Sequence, residues 1–326
     1  MKILCFYSDE EEKMKFDKEF PNIVFFKGRV QDLKESDFKK YQDVVIITAF
    51  IDSTFSAQTI DKFPNLRLIA TRSTGKDHID IDFCEEKNIE IRNVPDYGSN
   101  TVAEHVFALL LSLSKNIFSS YNEIKKNKDF SSMGSKDIRG LDLFGKTIGV
   151  LGTGNIGKNV IRIAKGFQMN ILANDINPDK NFAEKNNIVY TNFDELLEKS
   201  DIISINIPLC DDTFHLFSYQ QFEKMKKGVI IINTSRGEII NSKAFYEALK
   251  SEKIAGAGLD VLEEEKCLEK KEEKEGELCN EITKKINEYF ILSPRVIITP
   301  HNAFNTKEAL ERIYEKTVQN IKTFSI

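Results

Sequence analysis

The sequence has no long apolar run. Its longest uninterrupted stretch covers only residues 106–111, far short of the ~20 residues that a membrane-spanning helix requires, so no membrane anchoring is expected. It also lacks a surplus of positive charge. Lys and Arg number 46 against 51 Asp and Glu, for a net charge of -5 and a pI near 5.6, which argues against a surface built mainly to displace counterions from nucleic acid. The five cysteines, Cys5, Cys84, Cys210, Cys267 and Cys279, form no CxxC pair and share no metal-ligand rhythm with the four histidines. No metal site is therefore expected, and the thiols are expected to be buried or incidental in a reducing cytoplasm. The opening Met1-Lys-Ile-Leu-Cys-Phe-Tyr turns acidic by Asp9, with neither the apolar core nor the small-residue cleavage site of a signal peptide.

What is present is a soluble globular composition, 41% hydrophobic and 30% charged over 326 residues, long enough for two domains with a core each. β-rich runs at 2–7, 22–26, 43–48, 66–71 and 89–94 alternate with polar amphipathic stretches, the pattern of a parallel sheet. Ser99-Asn100-Thr101 followed by Val-Ala-Glu-His-Val-Phe-Ala-Leu-Leu-Leu predicts a capped, largely buried helix that enters a second domain. The alternation then restarts, with six strand candidates at 147–151, 169–174, 202–207, 229–233, 254–259 and 296–298. After Ala303 an amphipathic helix with Ala309, Ile313, Val318 and Ile321 among its apolar positions is expected to return to the first domain. The predicted division is residues 1–99 with 303–326 as one discontinuous domain and 100–302 as the other. The charged stretch 263–285, with nearly balanced signs, predicts a solvated helix or surface insertion.

The first chemical signal is Gly152-Thr-Gly-Asn-Ile-Gly157, placed directly after a predicted strand and before a predicted helix. In that context Gly152 permits the tight turn and Gly154 the approach of a pyrophosphate. Gly157 allows the helix to pack closely on the strand. Asp175 ends the next strand, at the spacing where a carboxylate accepts the ribose hydroxyls of NAD and repels a 2′-phosphate. No arginine follows it to neutralise such a phosphate, so NAD is expected over NADP.

The second signal is a cation and a histidine expected at one edge of the same sheet. Arg236 follows the run Val229-Ile-Ile-Ile-Asn in Asn233-Thr-Ser-Arg-Gly, and His301 follows strand 296–298 in Thr299-Pro-His-Asn-Ala-Phe. Hydride transfer to a 2-keto acid needs a guanidinium for the carboxylate and a proton donor for the carbonyl oxygen. A carboxylate beside the histidine would favour its protonated form. Glu263, Glu264 and Glu265 all follow the strand that ends at Asp260, and the residues alone do not choose among them.

Together with Arg72-Ser-Thr-Gly-Lys-Asp-His-Ile-Asp, Val102-Ala-Glu and Gly258-Leu-Asp-Val-Leu-Glu-Glu-Glu, these motifs resemble the D-isomer-specific 2-hydroxyacid dehydrogenases along the whole chain, most closely their lactate-type branch. The resemblance implies two doubly wound parallel-sheet α/β domains, a Rossmann NAD-binding domain and a flavodoxin-like substrate domain. It implies Arg236, Glu265 and His301 as the catalytic group, since the family's glutamate falls five positions after the aspartate here numbered 260. Asp260 is then a cofactor-side carboxylate. Further NAD contacts are implied at Asn155, Ile156, Ile207, Pro208, Thr213, Thr234 and Ser235. Substrate contacts are implied at Phe50, Tyr97, Phe304 and the backbone of Thr74 and Gly75. Phe50 stands about where the branch often carries tyrosine, a change that favours apolar substrate side chains. The implied reaction is NADH-dependent reduction of pyruvate by a homodimer joined through the NAD-binding domain. Alternatives are reduction of bulkier 2-keto acids of the 2-hydroxyisocaproate or phenyllactate type and, from another class, a dinucleotide-sensing scaffold.

Overall fold

Strands such as Val-Ile-Ile-Ile-Asn, buried at every position, have no face left for water, as expected where helices cover both sides of a parallel sheet. The computed structural model of the protein describes residues 1–7, 9–268 and 280–325. Its backbone divides into one unit formed by Met1–Tyr97 with Asn305–Ile326 and another formed by Gly98–Phe304.

The first unit holds β1 (Ile3–Tyr7), β2 (Ile23–Lys27), β3 (Ile46–Ala49), β4 (Leu68–Thr71) and β5 (Glu90–Arg92) in the order β2-β1-β3-β4-β5, the flavodoxin-like arrangement. The two-residue period of the strands splits their side chains between two cores. Leu4, Phe6, Ile47 and Ile69 face one, while Ile3, Cys5, Ile46, Leu68 and Ala70 face the other. Val318, Ile321 and Phe324 join the second core from the end of the chain. The helix Lys307–Lys322 is further tied to this unit by Arg92, which donates to Asn320 O at 2.7 Å. Arg72 of the Arg-Ser-Thr-Gly motif is buried, paired with Glu12 and donating to Phe6 O.

The second unit holds β6 (Thr147–Leu151), β7 (Asn170–Asn174), β8 (Val189–Tyr190), β9 (Ile202–Ile205), β10 (Val229–Asn233), β11 (Ile254–Leu259) and β12 (Val296–Ile298). Their order is β12-β11-β10-β9-β6-β7-β8, and the described pairings are parallel. The order reverses beside β6, which makes the gap between β6 and β9 the switch point where such sheets bind ligands. Six strands are expected and seven are found among the described residues. The additional one, β8, is a two-residue edge strand, too short for an alternating pattern to show.

The helix Ser99–Ser114 is largely buried, through Val102, Ala103, Val106, Phe107, Leu109 and Leu110 among others. Its expected cap is not realised. The helix starts at Ser99 itself, the residue before it is Gly98 with no side-chain capping bond, and Thr101 is inside the helix and buried. Burial of the apolar face, rather than capping, sets where this helix begins. Within 263–285, residues 269–279 lie outside the described ones. Asn280 caps the helix Glu281–Leu292.

Among the described residues no helix is long and apolar enough to cross a membrane. Cys5, Cys84 and Cys210 are free, and burial pushes the first two thiols up to about 12 and about 11, so they are inert at neutral pH. Cys267 departs from the expectation of unpaired thiols: it is disulfide-bonded, a pairing that its spacing did not signal. Cys279 lies outside the described residues.

Candidate active site

The strands of the second unit run parallel, so the loops leaving their C-terminal ends gather at one sheet edge. The loop after β10 is shaped by Asn233, a fully buried amide. Its Nδ2 donates to Arg236 O at 2.9 Å and its Oδ1 accepts from Ser235 N at 3.0 Å. The Ser235 hydroxyl donates to Ile205 O at 2.8 Å, linking this turn to β9. Gly237 is required next to the arginine, because a Cβ there would lie 1.9 Å from the carbonyl carbon of Leu262. The turn carrying Arg236 therefore rests directly on the backbone that leads to Glu265.

Asp260 organises the loop after β12. It is 2% exposed, and its carboxylate accepts the Thr299 hydroxyl at 2.5 Å, Asn302 N at 2.8 Å and Ala303 N at 2.9 Å. Between those donors His301 takes a φ of +49°, unusual for a residue with a side chain. Its N–H is held by Asp260 O at 2.8 Å. His301 Nδ1 then meets Glu265 Oε1 at 2.6 Å, while the other oxygen of Glu265 accepts Leu262 N at 3.2 Å.

The three consecutive glutamates have distinct partners. Glu263 Oε1 lies 2.6 Å from His215 Nε2 and its Oε2 accepts Ser242 N at 3.0 Å. Glu264, with a φ of +54°, accepts Asn280 N at 3.0 Å. Glu265 alone of the three is paired with His301. Burial works against the His301 imidazolium, but the hydrogen bond and charge of Glu265, supported by Asp260, outweigh it and hold the pKa above the ordinary histidine value. The nearby Arg236 charge opposes this. Glu238, on the turn after Arg236, is pushed up by burial and by the charges of Glu265 and Glu263.

The His215–Glu263 pair, which Asn241 extends through a 3.2 Å contact with Nδ1, was not foreseen. It joins residues 48 positions apart, and neither lies in a spacing that carries the pairing.

At the glycine loop, Gly152 has a φ of +85°, and a Cβ there would lie 2.5 Å from Asn206 O. A Cβ on Gly157 would lie 2.0 Å from Gly152 O, so helix Asn155–Gly166 can approach its strand only with glycine. A Cβ on Gly154 would meet no protein atom within 4 Å. That open face, beside the first-turn amides of Asn155, Ile156 and Gly157, fits a dinucleotide pyrophosphate. Asp175 stands at the end of β7 and accepts from Thr153 in this loop. Ile207 and Pro208 follow β9, where the Thr213 hydroxyl donates to Pro208 O at 2.7 Å. Thr234 lies between Asn233 and Ser235 on the arginine loop.

In the first unit, Phe50 follows β3, and Thr74 and Gly75 follow β4. The Thr74 hydroxyl donates to Val94 O at 3.0 Å and Gly75 O accepts the Ser73 hydroxyl at 2.7 Å. Tyr97 O accepts Arg312 Nε at 2.7 Å. Phe304 is half-buried and lies against Gly98 within the second unit.

An arginine turn, a carboxylate-paired histidine and an open glycine loop thus lie at one edge of a parallel sheet, an arrangement able to hold an anion and to supply a proton beside it. Comparison with known proteins gives the family. Residues 107–303 match the family described as "D-isomer specific 2-hydroxyacid dehydrogenase, NAD binding domain". The chain is 32% identical to the D-lactate dehydrogenase of Escherichia coli over 98% of its own length and 95% of that protein's. It is 33% identical to an aromatic 2-oxoacid reductase of Clostridium sporogenes, over 100% and 97% of the two lengths. The crystal structure of D-lactate dehydrogenase from Aquifex aeolicus, complexed with NAD and lactic acid, superposes with a TM-score of 0.90 at 33% identity, covering 99% of this chain and 95% of that one. The chain belongs to the D-isomer-specific 2-hydroxyacid dehydrogenase family. It is an NAD-dependent oxidoreductase acting on a CH–OH group.

The His301 pairing has a pH signature. Because its folded pKa is raised, the stability it contributes is complete below the unfolded value of about 6.5 and is lost as pH rises through the folded value. Glu265→Gln should therefore move the His301 imidazole titration, followed by NMR among the four histidines, to lower pH. An unchanged titration would show that Glu265 does not hold the proton.

Proposed function

We propose that the protein reduces pyruvate to D-lactate with NADH, using Arg236, His301 and Glu265. The observation that carries this reading is the 2.6 Å His301–Glu265 contact, made beside Arg236 on the edge where such sheets bind ligands. The Arg236 guanidinium grips the substrate carboxylate and polarises the neighbouring carbonyl. His301, with Nδ1 engaged by Glu265, donates its proton from Nε2 to the carbonyl oxygen as that oxygen gains negative charge. When bound, the reduced nicotinamide supplies the hydride to the carbonyl carbon, and His301 afterwards regains a proton from solvent. Glu265 and Asp260 orient the imidazole and favour its charged form throughout. The cofactor is assigned to the Gly152, Gly154 and Gly157 loop, with Asp175 on the adenosine ribose and the loops at Ile207, Pro208, Thr213, Thr234 and Ser235 alongside. The first unit is read as the substrate domain, with Phe50, Tyr97 and the backbone of Thr74 and Gly75 as its substrate-side residues. NADH-coupled chemistry of this kind fits the cytoplasm.

A second reading, reduction of bulkier or aromatic 2-keto acids, is supported by the missing hydroxyl at Phe50 and by the aromatic 2-oxoacid reductase among the relatives. An apolar pocket discriminates weakly among side chains, so the test is kcat/KM with NADH across pyruvate, 2-ketobutyrate, 2-ketoisocaproate and phenylpyruvate, with chiral analysis of product. Pyruvate is expected to rank first and to give the D product. A higher value for phenylpyruvate would select the second reading. Arg236→Ala and His301→Ala should each reduce turnover by about 10²–10⁴-fold while leaving NADH affinity nearly unchanged. Near-normal turnover in either would remove that residue from the mechanism.

We also propose a homodimer formed through the NAD-binding domain. Helix Ile117–Asn127 buries none of its residues within the unit, and Ile117, Phe118, Tyr121 and Ile124 are 40–55% exposed at helical spacing, an apolar stripe suited to burial against a second copy. Phe118→Glu combined with Tyr121→Glu should convert the species seen in analytical ultracentrifugation from dimer to monomer. An unaltered sedimentation coefficient would place the interface elsewhere.

A further inference from the structure

The rim of the glycine loop carries a hydrogen-bond chain that the catalytic group does not use. Thr153 stands between Gly152 and Gly154 and is 4% exposed. It gives Asp175 Oδ2 both its backbone N–H, at 2.6 Å, and its hydroxyl, at 2.9 Å. That hydroxyl has one proton, and an ionised carboxylate only accepts. The 2.7 Å contact between Thr153 Oγ1 and the Tyr190 hydroxyl therefore runs from Tyr190 to Thr153. The Tyr190 oxygen in turn accepts Asp179 N at 3.2 Å. The donors point one way, from Asp179 N–H through Tyr190 and Thr153 to Asp175, and such a chain strengthens each of its bonds.

Asp175 is clamped from both sides, because its Oδ1 accepts Asn177 N at 2.8 Å. Burial opposes its charge, but the bonds from Thr153 and Asn177 hold it below the usual carboxylate range. A carboxylate with its plane fixed and its charge retained presents its remaining lone pairs to two vicinal hydroxyls in one orientation. It also cannot swing away from a phosphate.

We propose that Tyr190, acting through Thr153, is a positioning residue that fixes Asp175 to recognise the adenosine ribose and thereby sets the preference for NADH over NADPH. This rests on the reading of Asp175 as the ribose-binding carboxylate. Tyr190 sits on β8, the edge strand beside β7, so the shortest strand of the sheet acquires a role in cofactor choice.

The test measures dissociation constants for NADH and NADPH by fluorescence titration of the intact protein, independently of any keto acid. Tyr190→Phe should raise the NADH constant about tenfold without a matching rise for NADPH, so that the ratio of the two constants falls, while kcat at saturating NADH stays within about twofold. Thr153→Val, which removes only the hydroxyl, should reproduce this and serves if Tyr190→Phe fails to fold. In an Asp175→Ala background, Tyr190→Phe should add nothing, because its effect travels through the absent carboxylate. The proposal is overturned if both cofactors weaken equally, or if the effects of Tyr190→Phe and Asp175→Ala add. It is equally overturned if Asp175→Ala weakens NADH while Tyr190→Phe and Thr153→Val do not. If Asp175→Ala itself leaves NADH affinity unchanged, the assignment of Asp175 to the ribose fails first.

Discussion

The buried carboxylate of Asp260 is the constraint on which the geometry of the proposed active site depends. An ionised group at 2% exposure is strongly unfavourable unless hydrogen bonds replace its water. Its donors, the Thr299 hydroxyl, Asn302 N and Ala303 N, come from the loop after β12, so the loop must curl around it. That curl imposes the left-handed backbone of His301 and aims the ring at Glu265. Strain at such a residue persists only where its surroundings over-determine it, and here the Asp260 carbonyl and carboxylate both do so. Removing the carboxylate would release the turn as well as a charge.

Around this anchor the charges are arranged so that protonation of His301 is favoured. Glu265 favours the imidazolium and the nearby Arg236 guanidinium opposes it, with the balance raising the His301 pKa. Glu263 is occupied by His215 and Ser242, which fixes the segment leading to Glu265. Gly237 brings the arginine turn into direct backbone contact with that segment. The cation and the acid pair are therefore registered to each other through main chain, the stiffest connection available.

The His301 loop and the glycine loop use the same device at different points of the sheet edge: a strand-end carboxylate that accepts from the backbone of a neighbouring loop. Asp260 does so for the loop after β12 and Asp175 for the loop after β6. In a parallel sheet the C-terminal strand ends lie together, so each carboxylate reaches a loop far away in sequence. The amide Asn233 instead shapes the loop that it begins, accepting Ser235 N and donating to Arg236 O without a charge.

Much of this was legible in the sequence by itself. Buried β-branched runs separated by helix-length segments determined the parallel α/β architecture, because a strand covered on both faces cannot alternate. The strand–glycine–helix context with Asp175 determined the dinucleotide class, because few residue types meet those close approaches. Motif resemblance then named Glu265, a choice that composition and local spacing left open. The two-residue strand β8, the start of helix Ser99–Ser114, the disulfide at Cys267 and the His215–Glu263 pair were not legible. Each depends on partners distant in the chain or on burial that no local pattern records. Only the tertiary structure decided which histidine meets Glu263 and which meets Glu265, and only it brought Tyr190 to Thr153. Hydrogen bonds between side chains tens of residues apart are set by how strands are ordered in the sheet, and that order is a property of the packed whole.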